Sequence, residues 1–190
     1  MQAVNFPGAV VMVVLLTLSC AQRPDPDKKY ADIGGAASAK LMQSLKGALA
    51  KAIADSGISG AIRVCSDQAL AITAEIDAQS DSITDIRRIT DRFRNPHNAP
   101  DQADLDALAF FRGYQTEHDG LPAYHIVRSA GELRYYQPLV IQPLCLNCHG
   151  KSGSMDDQTI AAINRLYPED MAVGYDLGDL RGLVRVTIRQ

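Results

Sequence analysis

The chain has 190 residues, 46% hydrophobic and 22% charged, with a formal net charge of −3. That is enough for one domain with a real core and too little for two once a targeting segment is set aside. The mildly acidic balance, with no basic stripe interleaved with aromatics, argues against a nucleic-acid partner.

From Gly8 to Leu18 runs an apolar stretch of signal-peptide length, short of the ~20 residues that span a bilayer. Ser19, Cys20 and Ala21 follow, small residues that suit a signal peptidase, so 1–21 reads as an export signal, although Met1 to Pro7 carries no Lys or Arg. Cys20 also stands where a bacterial lipoprotein is cut and lipidated, though Thr17-Leu18-Ser19 is a poor version of that signal. The expected location is therefore the periplasm or the outer face of the membrane, with membrane contact only if Cys20 is lipidated.

Residues 22–35 are polar and proline-punctuated at their start and read as a linker, which leaves 36–190 as a single domain. From Ala36 to Asp55, Leu41, Leu45, Leu49 and Ile53 recur every four residues, which predicts an amphipathic helix closed by Gly57. A second helix is predicted from Gly57 to Ala78 with Ile58, Ile62, Cys65, Ala69, Ile72 and Ile76 on one stripe. The short connection favours an antiparallel hairpin, and Cys65 lies in its apolar seam.

Ser82 to Phe93 alternates loosely and predicts a strand, carrying Arg87, Arg88 and Arg92 and leading to Arg94. Arg94 to Asp101 (R-N-P-H-N-A-P-D) is a loop held by two prolines. Asp101 caps a third helix, with Asp104 three residues on and Leu105, Leu108, Phe111 and Tyr114 on its face. Ala123 to Val127 and Glu132 to Gln142 form a hairpin around Ser129-Ala130-Gly131, and Pro138 requires an edge or a bulge at its position.

Cys145-Leu146-Asn147-Cys148-His149-Gly150 follows, on an expected loop. Two cysteines three apart with a histidine directly after is the attachment pattern of a c-type haem. Cys145 and Cys148 would tether the two vinyl groups and His149 would be the proximal iron ligand. A redox-active disulfide or half of a zinc site is the plainer alternative, but neither requires the histidine. Ser154 opens a short helix bearing Ile160, Ile163 and Leu166. Leu183 to Arg189 predicts a half-buried strand, with Val184, Val186 and Ile188 inward and Arg185, Thr187 and Arg189 outward. The expected fold is α+β, an antiparallel sheet with helices packed on one face.

On residues alone, Cys65 is a small core residue or an iron ligand, and Met42, Met155, Met171, His97, His118 and His125 compete with it for the sixth position. Met155 reads as a loop residue and His118 as exposed, while His97, in the proline loop, is the histidine to watch. The arginines of the 87–94 cluster read as a solvated strand edge, or one or two of them, Arg88 and Arg92 foremost, pair with haem propionates.

Four segments together carry a resemblance: Val64-Cys65, Arg94 to Asp101, Cys145 to Gly150, and Gly174 to Gly182 (G-Y-D-L-G-D-L-R-G). The chain from about Ala36 onward resembles the bacterial and cyanobacterial PAS-like c-type haem proteins, long catalogued as a domain of unknown function. The resemblance implies a PAS-like sheet with flanking helices behind a helical N-terminal extension. It also implies one covalently attached haem c, ligated by His149 and, unusually, by Cys65. Such domains stand alone or are joined to signalling modules such as histidine kinases; with Gln190 at the end of the chain, a stand-alone domain is expected. A redox or small-ligand (gas) sensor acting on a redox or signalling partner is the expected function, and a periplasmic electron-transfer cytochrome is the alternative. No enzymatic activity is expected; peroxidase-like chemistry would need an iron position that a coordinating Cys65 fills.

Overall fold

The computed structural model describes residues 25–64, 68–78, 81–129 and 131–189. The export segment, Cys20 and Cys65 lie outside the described residues. Among the described residues the elements in chain order are α1 (Lys28–Arg63), α2 (Ala69–Asp77), β1 (Ile83–Ile89), α3 (Gln102–Glu117), β2 (His125–Ser129), β3 (Glu132–Val140), α4 (Leu146–His149), α5 (Asp157–Leu166) and β4 (Leu180–Ile188). None of the described helices is long and apolar enough to cross a membrane.

The strands form one antiparallel sheet in the order β1-β4-β3-β2, so the architecture is α+β and PAS-like. The last strand in the sequence lies at the centre, between β1 and β3. Alternation across the pleat then sends two sets of side chains to two faces. Ile86, Leu133, Tyr135, Val184, Val186 and Ile188 meet Leu41 and Leu45 of α1 and Ile76 of α2. Ile89, Tyr136 and Leu183 meet Ala107, Leu108 and Phe111 of α3 on the other side. The expectation of helices on one face only is thereby corrected.

The central strand explains a second correction. Arg185 and Thr187 were expected outward, yet they are 5% and 3% exposed. Burying a guanidinium is tolerable only if it is paired, and Arg185 reaches Asp104 at 3.0 Å, with Asp85 on its other nitrogen. Asp104 is fully buried and also accepts from the Tyr136 hydroxyl at 2.9 Å. The inward stripe of α3 accordingly runs through Asp104, Ala107, Leu108 and Phe111, while Leu105 is exposed. Its start agrees with expectation: Asp101 and Asp104 form a reciprocal capping box.

The first helix begins at Lys28, inside the segment 22–35 read as a linker. Tyr30 and Ile33 pack on the core beside Ala37, and Gly34, an unpromising residue for a helix interior, is there for space: a Cβ on it would lie 2.2 Å from Cγ of Tyr135. Tertiary contact outweighs glycine's helix penalty of about 1 kcal/mol. Gly57, with φ +70°, breaks the helical path of α1 where the turn was expected. The haem-type motif lies not on a loop but on α4, following a 3₁₀ turn at Pro143–Cys145. Pro138 sits in an interior strand, but β2 pairs with β3 only as far as Tyr136, so Pro138 has a neighbour on one side alone. That satisfies the proline rule without an edge strand.

Candidate functional site

Pro143 opens a 3₁₀ turn that runs directly into α4. Helical spacing of three puts Cys145 and Cys148 on one side of this turn, with His149 next to them. Both cysteines are half-buried thiols. Gly150 ends the turn, and only glycine fits, because a Cβ there would lie 2.6 Å from the Leu146 carbonyl oxygen. The segment 172–175 straps the motif from behind: Gly174 N donates to Gly150 O at 2.8 Å and Tyr175 N to His149 O at 3.0 Å.

His149 Nδ1 lies 2.6 Å from the Ala172 carbonyl oxygen. A carbonyl only accepts, so Nδ1 carries the proton and Nε2 keeps its lone pair. The ring is held neutral: burial pushes its pKa well below the ordinary histidine value, the charges of Arg181, Arg94 and Arg88 act in the same direction, and the bond to Ala172 opposes them. A neutral imidazole with Nε2 available and Nδ1–H bound to a carbonyl is the form in which histidine ligates a metal.

Arg94 braces this arrangement. Its guanidinium pairs with both oxygens of Asp170, at 3.1 and 3.0 Å, and donates to the Cys148 carbonyl at 2.6 Å. Asp170 Oδ1 in turn accepts from Ala172 N at 2.9 Å, which holds the carbonyl that orients His149. Both side chains are almost completely buried.

Beside the motif is a cavity of about 540 Å³, within the ~300–1,000 Å³ of small-molecule and cofactor sites. Its walls are mostly apolar and come from α1 (Met42, Leu45, Leu49, Ile53, Ile62), the end of β3 (Leu139) and Ile141 just beyond it. Cys145, Cys148 and His149 lie on it, and so do Arg88, Arg94 and Arg181. Val64 and Ala69, which bracket residues 65–67, line it as well. A flat, largely apolar group with anionic substituents fits this donor set: two thiols, one imidazole nitrogen, apolar walls and a cationic margin. Among the described residues, no group of three or more His, Cys, Asp or Glu side chains is arranged to hold a bare metal ion.

The residues singled out in the sequence separate in space. Arg88 lines the cavity; Arg92 does not. Its Nη2 donates to Val173 O and its Nε to Met171 O, and the guanidinium lies 4.0 Å from the Tyr175 ring centre, so it supports the 171–175 strap. Arg181, unremarked as an individual residue, is at the cavity. The signal that marks it is its place inside the Gly174–Gly182 segment. Among the competitors for a second axial position Met42 lines the cavity, His97 and His118 are exposed, Met171 is 41% exposed, and His125 stacks on Phe110. Met155 is buried in a loop and lines a separate, smaller pocket with Ile160 and Tyr167, not the cavity.

A protein-family model described as Tll0287-like matches residues 20–189. Among solved structures, the crystal structure of the cyanobacterial haem protein Tll0287 aligns with a TM-score of 0.65 and 26% identity over 87% of this chain and 97% of that one. No match is found among curated proteins.

Proposed function

The chain belongs to the Tll0287-like family, and from that premise we propose that it is an exported haem-binding protein with one haem c joined to Cys145 and Cys148. In this reading His149 Nε2 is the proximal ligand and Cys65 the sixth. The observation that carries it is the His149–Ala172 bond at 2.6 Å, which leaves Nε2 available beside two thiols on the same cavity. The haem supplies a one-electron couple whose potential and ligation respond to the residues around it. Everything else is the protein's part. Ala172 fixes the imidazole, Arg94 and Asp170 fix Ala172, and the apolar wall from α1 keeps water away. Export fits the attachment chemistry, because c-type haem is attached outside the bacterial cytoplasmic membrane.

Cys65 is supported by its neighbours, since Val64 and Ala69 both line the cavity. A thiolate there would favour the ferric state and lower the potential, and it would take up a proton at Sγ when the charge on the iron falls. A cysteine whose hold on the group would depend on its charge state would suit a redox or gas sensor, and we favour a sensor without enzymatic activity, acting on a redox or signalling partner. The second reading is an electron carrier. Leu144, beside the attachment site, is 52% exposed, and the half-buried cysteines would leave a cofactor edge near a partner.

The test is expression with a cytochrome c maturation system. Colour should survive acid-acetone extraction, and mass spectrometry should find the adduct on the peptide containing Cys145 and Cys148; an unmodified peptide refutes the attachment. Cys65→Ala should keep the adduct, lose the low-spin thiolate EPR signal and raise the potential. An unchanged signal would exclude Cys65 as the sixth ligand. Carbon monoxide binding to the reduced wild type separates sensor from carrier, because a carrier retains both axial ligands in both oxidation states.

A further inference from the structure

Resting on the haem reading above, we propose that Arg181 is the carboxylate-binding residue of the cavity, the guanidinium that receives a propionate of the cofactor. Three observations lead there. First, Arg181 is positioned by the fold and not by an acid: Nη1 donates to Thr90 Oγ1 at 3.3 Å and to Arg92 O at 3.1 Å, and the guanidinium carbon stands 5.4 Å from the Tyr175 ring centre. Those bonds hold one edge of the planar group. Among the described residues no hydrogen bond occupies Nη2, and Nε is buried without an acceptor.

Second, its surroundings leave the charge under-compensated. Burial disfavours the cation, Arg94 and Arg88 act on it with like charge, and Tyr175 and Asp170 oppose these effects only in part. Arg94 has its own carboxylate, Asp170 at 3.0 Å, but among the described residues no acid forms an ion pair with Arg181. A guanidinium withdrawn from water without a counter-ion is disfavoured, so the arrangement calls for an anion. The planar fork suits a carboxylate in particular.

Third, Arg181 lines the same cavity as Cys145, Cys148 and His149. A group tethered at those residues would carry its own carboxylates, and Arg181 is a guanidinium beside it that forms no ion pair among the described residues. Arg92, foremost in the sequence reading with Arg88, spends its donors on Val173 O and Met171 O.

The experiment titrates the purified full-length apoprotein with haemin and, separately, with haemin dimethyl ester, whose carboxylates are masked, and reads the Soret absorbance. Wild type should bind the free acid about tenfold or more tighter than the ester, the size of one charge-assisted hydrogen bond. Arg181→Gln should lose that preference, Arg181→Lys should keep part of it, and Arg128→Gln, an exposed control on β2 that does not line the cavity, should keep all of it. Equal affinity of wild type for the two forms overturns the proposal while leaving haem binding standing, as does a preference that survives in Arg181→Gln. Should Arg181→Gln not fold by circular dichroism, the wild-type comparison and Arg181→Lys decide. If neither form binds wild type, the haem reading itself fails and this one falls with it.

Discussion

Replacing Asp170 with alanine should separate a structural ion pair from a site-positioning one. In the wild type the Asp170 carboxylate holds Arg94 through two bonds of 3.1 and 3.0 Å and receives the Ala172 amide at 2.9 Å. With side-chain exposures of 7% and 6%, solvent cannot replace either partner. The variant strands a buried guanidinium whose other acceptors, among the described residues, are the Cys148 and Ala172 carbonyls. Breaking a buried pair from one side costs about 3–5 kcal/mol, which for a domain of this size corresponds to roughly 6–20 °C in Tm. Urea unfolding followed by circular dichroism measures the first and a thermal melt the second. The double variant Arg94→Met/Asp170→Leu should recover most of the stability, because two apolar groups leave no orphan charge. It should nevertheless attach haem poorly, since Arg94 and Asp170 then no longer brace the Cys148 carbonyl and Ala172. A loss under about 1 kcal/mol in Asp170→Ala, the range of exposed pairs, would refute the argument that this pair is desolvated.

Two further outcomes follow from packing and burial. Gly34→Ala, which in an ordinary helix interior stabilises by about 1 kcal/mol, should here destabilise by about 1–3 kcal/mol, because the new Cβ would lie 2.2 Å from the Tyr135 ring. Gly47→Ala on the same helix meets nothing within 4 Å and should give the ordinary gain; equal effects in urea unfolding would contradict the contact. His125, stacked on Phe110 with ring centres 3.9 Å apart, has its pKa lowered by burial from the ordinary 6.5. The unfolded chain therefore binds a proton at that residue before the folded one does, so stability should fall as pH drops below about 6.5 and on toward the folded pKa. Stability measured against pH should be flatter in that window for His125→Phe, and an identical slope would exclude the histidine as its source.

Local chemistry was readable wherever neighbours in sequence were also the partners in space. The Asp101–Asp104 box, the hairpin around Gly131 and the Cys145-Cys148-His149 turn each close within a few residues, so spacing alone reveals them. Strand and helix periodicity already implied an α+β antiparallel sheet, and the resemblance added its PAS-like character. Legibility failed where the deciding partner is remote in the chain. Lys28 to Gly35 reads as linker because the reason for its helix, the ring of Tyr135, lies about a hundred positions away. Leu105 was placed on the buried face of α3 and Asp104 left off it, because hydrophobicity identifies an apolar stripe but not a carboxylate that Arg185 and Tyr136 satisfy.

What the sequence by itself determined is the chemical inventory and its local order: two thiols and an imidazole within five residues, a cap, a hairpin, and an alternating last strand. Only the tertiary structure decided what those groups face. It placed β4 at the centre of the sheet, so that Arg185 had to be buried and paired. It brought the Ala172 carbonyl to His149 and so selected the tautomer. It turned Arg92 to the strap and Arg181 to the cavity. The physical reason is that periodicity records how polar a residue is, whereas burial, tautomer and charge compensation depend on atoms that only folding brings within 3 Å.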